Sequence, residues 1–236
     1  MNLTGWLPTT LIDYPGRVAA TLFASGCNFR CPFCHNPELV RPERVASLPI
    51  LDEEEILSDL ARRRGFLDGV VLTGGEPTLQ RDLVAFAGRL KEMGYLVKLD
   101  TNGSHPAVVQ TLIDGGLADY VAVDIKGPPD RYAEFAGVGA NTEDVRQTVR
   151  IVTDGPIDYE LRTTVAPGLT ASDIEEIADW VRPAKRYVLQ AFRVPPEATK
   201  TLLDPSWAVR DALGEAELRA TWATLSERFE DGGVRA

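Results

Sequence analysis

Residues 69–101, GVVLTGGEPTLQRDLVAFAGRLKEMGYLVKLDT, carry the pattern that decides the fold. An apolar, β-branched run (Gly69–Thr73) leads into a Gly-Gly-Glu-Pro turn. Leu79–Met93 then spaces apolar residues at helical intervals, Gly94 stops the helix, and Tyr95–Thr101 is a second short apolar run. Strands that are apolar on both faces belong to parallel sheets covered by helices. The stretch therefore predicts a strand–helix–strand unit with a right-handed crossover.

The same alternation continues in both directions. Strand-like runs occupy Arg17–Ser25, Asp119–Ile125, Asp158–Val165 and Arg186–Arg193. Helix-like stretches lie at Asp52–Arg64, Pro106–Gly115, Thr142–Thr153 and Ser172–Val181, with a last one over Gly214–Phe229. Start and stop signals agree: Asp52 stands at an N-cap, Thr170–Asp173 reads as another cap, and Gly65 follows the first helix. Six strands in 236 residues fall short of a closed eightfold barrel, which takes about 250 residues. The expected fold is a single-domain α/β protein, a partial (β/α)6 TIM-like barrel of parallel strands. Polar and glycine-rich residues gather at strand carboxyl ends: Ser25-Gly26-Cys27, Thr73 to Glu76, Asp100 to Gly103, and Asp124-Ile125-Lys126. Such folds carry their chemistry on that rim, so the site is expected there.

Composition narrows the function classes. Lys and Arg total 25 against 35 Asp and Glu, a net charge of −10. Binding to a phosphate backbone needs clustered cations, so no nucleic-acid ligand is expected. The basic run Arg62–Arg64 closes a helix that opens on Asp52–Glu55, the order that suits a helix dipole, and reads as a solvated face. No apolar run approaches the roughly 18 residues of a membrane span. The opening MNLTGWLPTTLIDYPG has neither a cationic start nor a signal-type apolar core, so a cytoplasmic protein without membrane contact is expected.

All three cysteines, Cys27, Cys31 and Cys34, lie in GCNFRCPFCHNP at C-x3-C-x2-C spacing, directly after the first predicted strand. An odd count packed this closely is not a disulfide framework. Three thiols in one loop suit one face of a cubane iron–sulfur cluster with one iron left open. They also suit a zinc site completed by His35, a redox thiol pair, or inert buried thiols. The tight loop and the lack of a fourth thiol favour the open cluster, because adjacent Cys34 and His35 would have to bite one small tetrahedral ion in the zinc case.

The cysteine loop, with Phe33 before its last thiol, and the Gly74-Gly75-Glu76-Pro77 turn together resemble the radical S-adenosylmethionine (radical SAM) superfamily. IDYPG (Ile12–Gly16), TGGEPTLQ (Thr73–Gln80), KLDTNGS (Lys98–Ser104), Asp124-Ile125-Lys126 and RTTVAPG (Arg162–Gly168) resemble its glycyl-radical-enzyme activating branch. The similarity covers about residues 1–195, expected to form the radical SAM partial-barrel domain. Residues 196–236 are expected to form a C-terminal helical extension packing on the barrel.

The resemblance implies that Cys27, Cys31 and Cys34 ligate a [4Fe-4S] cluster whose fourth iron is chelated by S-adenosylmethionine. It implies reductive cleavage of that cofactor to methionine and a 5′-deoxyadenosyl radical, which abstracts a Cα hydrogen from a glycine of a partner enzyme. No general base is needed for this step. Phe33 and His35 are expected near the adenine, the backbone of Gly74 and Gly75 at the methionine amino group, and Glu76 as support for that turn. Arg162, Thr164 and Gln190, at the ends of the fifth and sixth predicted strands, are expected at the ribose and sulfonium. Asp100 and Asp124 are expected to face one another with Lys126, and a monovalent cation is expected near Asp100, Thr101, the Ala122 carbonyl and Asp124. Arg193 stands where pyruvate formate-lyase activases have a histidine, and its charge is fixed.

The partner implied is anaerobic ribonucleoside-triphosphate reductase, with a flavodoxin or ferredoxin as electron donor. A glycyl-radical enzyme of the pyruvate formate-lyase type, or a small-molecule substrate, is the alternative, and a zinc-stabilised binding module is the non-enzymatic one. His105, before Pro106, reads as a loop residue. The segment Pro195–Pro205 with Trp207 and Trp222 reads either as cover for the barrel's open side or as a docking surface for the partner's glycine loop.

Overall fold

The computed structural model describes residues 1–195 and 202–235. Strand β1 (Leu3–Thr10) runs antiparallel to β2 (Ala19–Ala24). From β2 onward strands and helices alternate: α1 (Glu53–Arg62), β3 (Gly69–Gly74), α2 (Leu83–Glu92), β4 (Leu96–Thr101), α3 (Pro106–Asp114) and β5 (Tyr120–Asp124). The series continues with α4 (Thr142–Asp154), β6 (Asp158–Val165), α5 (Ala171–Trp180), β7 (Arg186–Ala191), α6 (Glu215–Leu225) and β8 (Asp231–Arg235). The eight strands lie side by side in sequence order, and every pair from β2 to β8 is parallel. Among the described residues no ladder returns from β8 to β1, so the sheet forms a partial barrel, open on one side.

The six expected strands are β2 to β7. Two more flank them, and both lacked a strand signature. β1 (LTGWLPTT) contains Gly5 and Pro8, and β8 (DGGVR) contains two consecutive glycines, residue types depleted from strands. The helix expected from Leu79 begins later. Pro77–Leu79 is a 3-10 turn capped by the Glu76 side chain, and α2 starts at Leu83. The C-terminal extension is not purely helical, since its last residues join the sheet as β8. The expected boundary at residue 196 lies outside the described residues.

The caps form as the sequence suggests. Asp52 accepts from the Glu54 amide at 2.8 Å, and Thr170 with Asp173 makes a reciprocal capping box at the start of α5. Arg62 and Arg63 pair with Asp59 at 2.9 and 2.7 Å, on a solvated helix face. Among the described residues no helix is long and apolar enough to cross a membrane.

The amino ends of the strands are closed by a small aromatic cluster of Tyr14, Ala19, Val71, Tyr120 and Ala122, with the two tyrosine rings 5.9 Å apart. A Cβ on Gly69 would stand 3.0 Å from the Tyr14 ring and 2.8 Å from the Leu96 carbonyl oxygen. The tyrosine of the IDYPG motif is thus a plug at the barrel's amino end, and the carboxyl ends are left free for a site.

Candidate active site

Strand register assembles the carboxyl-terminal rim. Ala24 is level with Gly74, Asp100 with Ala122, Asp124 with Arg162, and Thr164 with Gln190. A cavity of about 440 Å³ opens there. All three cysteines line it, and so do Phe33, His35, Gly74, Gly75, Glu76, Asp100, Asp124, Lys126, Thr164, Gln190 and Arg193. Thr101 lines it too, whereas Ala122 is fully buried in β5.

The GGEP turn lies against the cysteine loop so closely that only glycine fits. The Gly75 amide donates to the Ala24 carbonyl and the Glu76 amide to the Gly26 carbonyl, each at 2.8 Å. A Cβ on Gly74 would meet the Ala24 oxygen at 2.3 Å, and one on Gly75 would meet the Gly26 oxygen at 2.1 Å. Gly74 also has φ +118, a conformation side chains disfavour. Glu76 is fully buried and ties this turn to the end of β4. One oxygen accepts from the Thr78 amide (3.0 Å), the Thr78 hydroxyl (2.6 Å) and the Thr101 hydroxyl (2.8 Å), and the other accepts from the Asn102 amide (2.7 Å).

The cysteine loop is held by the end of the short helix Tyr132–Ala136. The Arg30 amide donates to the Ala136 carbonyl at 2.9 Å, and the Arg30 guanidinium turns back onto the Cys27 and Phe29 carbonyls at 2.6 and 2.7 Å. No cysteine is disulfide-bonded. Burial pushes the metal-free Cys27 thiol up to about 11, against the Phe29 amide that donates to its sulfur. Burial likewise pushes Cys31 up to about 12 and raises Cys34. Amides at Cys27 and Cys34 favour the thiolate that a metal requires.

Three thiols facing one cavity, with no fourth in the chain, fit a cubane with one open corner. They fit a single zinc ion less well. Among the described residues no three His, Cys, Asp or Glu side chains converge on one ion position. His35 instead packs its ring 5.4 Å from that of Phe192. Burial lowers its pKa, against a hydrogen bond with the Arg193 backbone.

The acidic pair differs from expectation. Lys126 reaches only Asp124, at 3.1 Å, and the cation between the two carboxylates is Arg162. Its guanidinium lies 2.9 Å from Asp124, 3.5 Å from Asp100 and 3.7 Å from Glu160. Lys98, only 1% exposed, pairs with Asp100 from beneath. Burial alone would raise the Asp124 carboxyl, but Arg162 and Lys126 outweigh it and hold it well below the usual carboxylate range. Arg162 lies largely buried between the two carboxylates, its side chain 13% exposed.

Several residues in the site carried no role in the sequence reading. The Asn28 amide donates to the Ser104 hydroxyl at 2.9 Å, and its oxygen accepts from Asn102 at 3.0 Å. Asn102 also directs its amide to the Cys27 sulfur, 3.9 Å away. The one local signal was a polar Asn-Gly turn at a strand end. His105 precedes α3 as expected of a loop residue, with Nδ1 bonded to Thr78 and Ser104 hydroxyls at 3.1 and 2.9 Å.

Comparison with known proteins adds independent findings. The profile described as the Radical SAM superfamily matches residues 21–181. A Methanocaldococcus jannaschii protein with the provisional name glycyl-radical enzyme activating enzyme is 37% identical, over 80% of this chain and 79% of its own. A pyruvate formate-lyase-activating enzyme of Clostridium pasteurianum is 29% identical, over 73% of this chain and 72% of its own. Among solved structures, Streptococcus suis SuiB bound to its precursor peptide SuiA superposes with a TM-score of 0.67 at 12% identity. That match covers 89% of this chain and 47% of SuiB, and it bears on the fold alone.

Proposed function

Because the chain belongs to the radical SAM superfamily, whose members use a [4Fe-4S] cluster and S-adenosylmethionine, we propose that it is an activating enzyme that installs a glycyl radical on a partner protein. The observation that carries this is the convergence of all three thiols on one rim cavity, in a chain 37% identical to a relative named for that activity. When bound, the cluster and S-adenosylmethionine supply reductive cleavage of the sulfonium and, through it, abstraction of a glycine Cα hydrogen.

The chain's own residues hold these groups. Cys27, Cys31 and Cys34 would hold the cluster through three thiolates and leave S-adenosylmethionine room to bind beside it. The Gly74–Gly75 backbone meets the amino group, and Phe33 and His35 form the adenine wall. Thr164, Gln190 and Arg193 face the ribose and sulfonium. Asp100 and Asp124 lie beside the methionine end, and Arg162 pairs with both and keeps the Asp124 carboxyl ionised. A monovalent cation near Asp100, Thr101, Ala122 and Asp124 adds to charge that Arg162 and Lys98 already supply. Exchange of sodium or potassium for choline in the assay is therefore expected to lower the rate without abolishing it.

A macromolecular substrate suits the surface. Val194, just beyond Arg193, is 54% exposed, and Val138, in the loop under the cysteines, is 77% exposed. A protein docked over the rim would cover Val194, which adjoins the cavity-lining Arg193. Anaerobic ribonucleoside-triphosphate reductase is the preferred partner and a pyruvate formate-lyase-type enzyme the second, with a flavodoxin or ferredoxin as reductant. The test is anaerobic reconstitution with iron and sulfide, then dithionite and S-adenosylmethionine, beside a Cys27→Ala/Cys31→Ala/Cys34→Ala chain. The wild type alone is expected to release 5′-deoxyadenosine and to raise a glycyl-radical EPR signal on the reductase. Colourless protein with stoichiometric zinc and no 5′-deoxyadenosine would sink the proposal.

A further inference from the structure

Residues Leu202–Asp211 lie against the cysteine loop. The Leu203 amide donates to the Cys34 carbonyl at 3.1 Å, and the Asp204 amide donates to the Pro32 carbonyl at 2.9 Å. Arg41, beyond the loop, donates to the Leu203 carbonyl at 2.6 Å. Asp204 then caps the 3-10 turn Pro205–Val209 through the Ser206 amide at 2.9 Å.

That turn carries Trp207, only 3% exposed. Its ring lies 5.9 Å from Phe33 and 5.8 Å, edge-on, from Phe135. The Arg210 guanidinium covers its outer face at 4.4 Å. Farther on, the Asp211 carbonyl accepts from the Gly168 amide at 3.3 Å and fastens the segment to the loop before α5.

We propose that Leu202–Asp211 is a strap that positions Cys34, with Trp207 as its anchor. The three thiols are held differently. Cys27 sits between the Phe29 amide and Asn102, and Cys31 lies against the Ala136 carbonyl at 3.8 Å. The backbone on either side of Phe33, from Pro32 to Cys34, is bonded through its carbonyls to the strap. Rigid support of this kind sets a ligand's position and shields a metal from solvent. Trp207 is a positioning residue: it acts through Phe33 and the loop backbone, and it does not line the cavity. The inference rests on these cysteines being the cluster ligands and is independent of which protein the enzyme activates.

The test reads each thiol separately in reduced, metal-free protein. Iodoacetamide labelling at fixed pH is followed by peptide mass spectrometry for wild type, Trp207→Ala, Trp207→Phe and Leu203→Pro. Local opening of the strap is expected to speed labelling of Cys34 by about tenfold in Trp207→Ala and Leu203→Pro, with Cys27 and Cys31 changed by less than about twofold. Trp207→Phe, which keeps an aromatic wedge, is expected to stay near wild type. After reconstitution, the same two variants are expected to lose iron to a chelator faster. A rise shared equally by all three cysteines would mark a merely structural tryptophan and overturn the proposal, as would no change at Cys34. Leu203→Pro removes one donor from a half-buried site, so it decides the matter if Trp207→Ala does not fold.

Discussion

Glu76 is a buried carboxylate whose four hydrogen-bond partners are all neutral. Burial raises its pKa, against those four donors. Glutamine can keep the oxygen that accepts three bonds, but it then turns an N–H toward the Asn102 amide, donor against donor. Glu76→Gln is expected to destabilise the fold by about 1–3 kcal/mol. A chain of this length loses about 2–4 °C of melting temperature per kcal/mol, so calorimetry can check it. Gly75→Ala would set a methyl carbon 2.1 Å from the Gly26 oxygen and push the cysteine loop away. It is expected to cost at least about 2 kcal/mol and most of the bound iron, measured by denaturation and iron assay. The rim residues were legible because a polar side chain at the end of an apolar run stands out. Arg162 was assigned the right strand, and its pairing with both carboxylates was not foreseen. Glu160, Arg162 and Thr164 alternate onto one face of β6, and an arginine at that height is long enough to reach sideways to β5 and β4. Asn28 and Asn102 meet across 74 positions of sequence, a pairing that no local signal carries.

At the scale of elements, the inner strands announced themselves and the outer two did not. A strand covered on both faces must be apolar, whereas an edge strand is held by one neighbour and tolerates glycine and proline. β8 nevertheless has a specific task. Its Arg235 reaches inward to Glu160, 1% exposed, with contacts of 2.6 and 3.2 Å. Gly232 of the same strand passes so close that a Cβ would stand 2.0 Å from the Tyr187 carbonyl oxygen. Arg235→Ala is expected to cost about 1–3 kcal/mol, because among the described residues the ion pairs left to Glu160 are with Arg162 and Arg186, each 3.7 Å away. Urea unfolding checks it. Since Arg162 then has a less satisfied Glu160 to turn toward, the same variant is expected to bind S-adenosylmethionine more weakly, measurable by titration of the reconstituted enzyme.

Across the whole molecule the barrel interior is layered along its axis. The thiol-lined cavity lies at the carboxyl end, a layer of charge (Lys98, Glu160, Arg162) beneath it, and the tyrosine plug at the amino end. The charge layer makes stability depend on acid. Asp124 has a folded pKa below its unfolded value near 4, so its contribution is complete above about pH 4 and is lost as pH falls through the lower folded value. The unfolding free energy of wild type is therefore expected to fall more steeply below about pH 4 than that of Asp124→Asn, in urea titrations at successive pH values.

The plug has a further consequence, which concerns traffic. Among the described residues, the thiol-lined cavity and the one at the amino end, bordered by Tyr14, Arg17 and Tyr120, share no lining residue. The tyrosine plug and the charge layer stand between them, so the thiols are approached from the carboxyl side of the barrel. A partner docked on that side would screen the thiols as well as serve as substrate, so in air the enzyme without a partner would be the one to lose iron first.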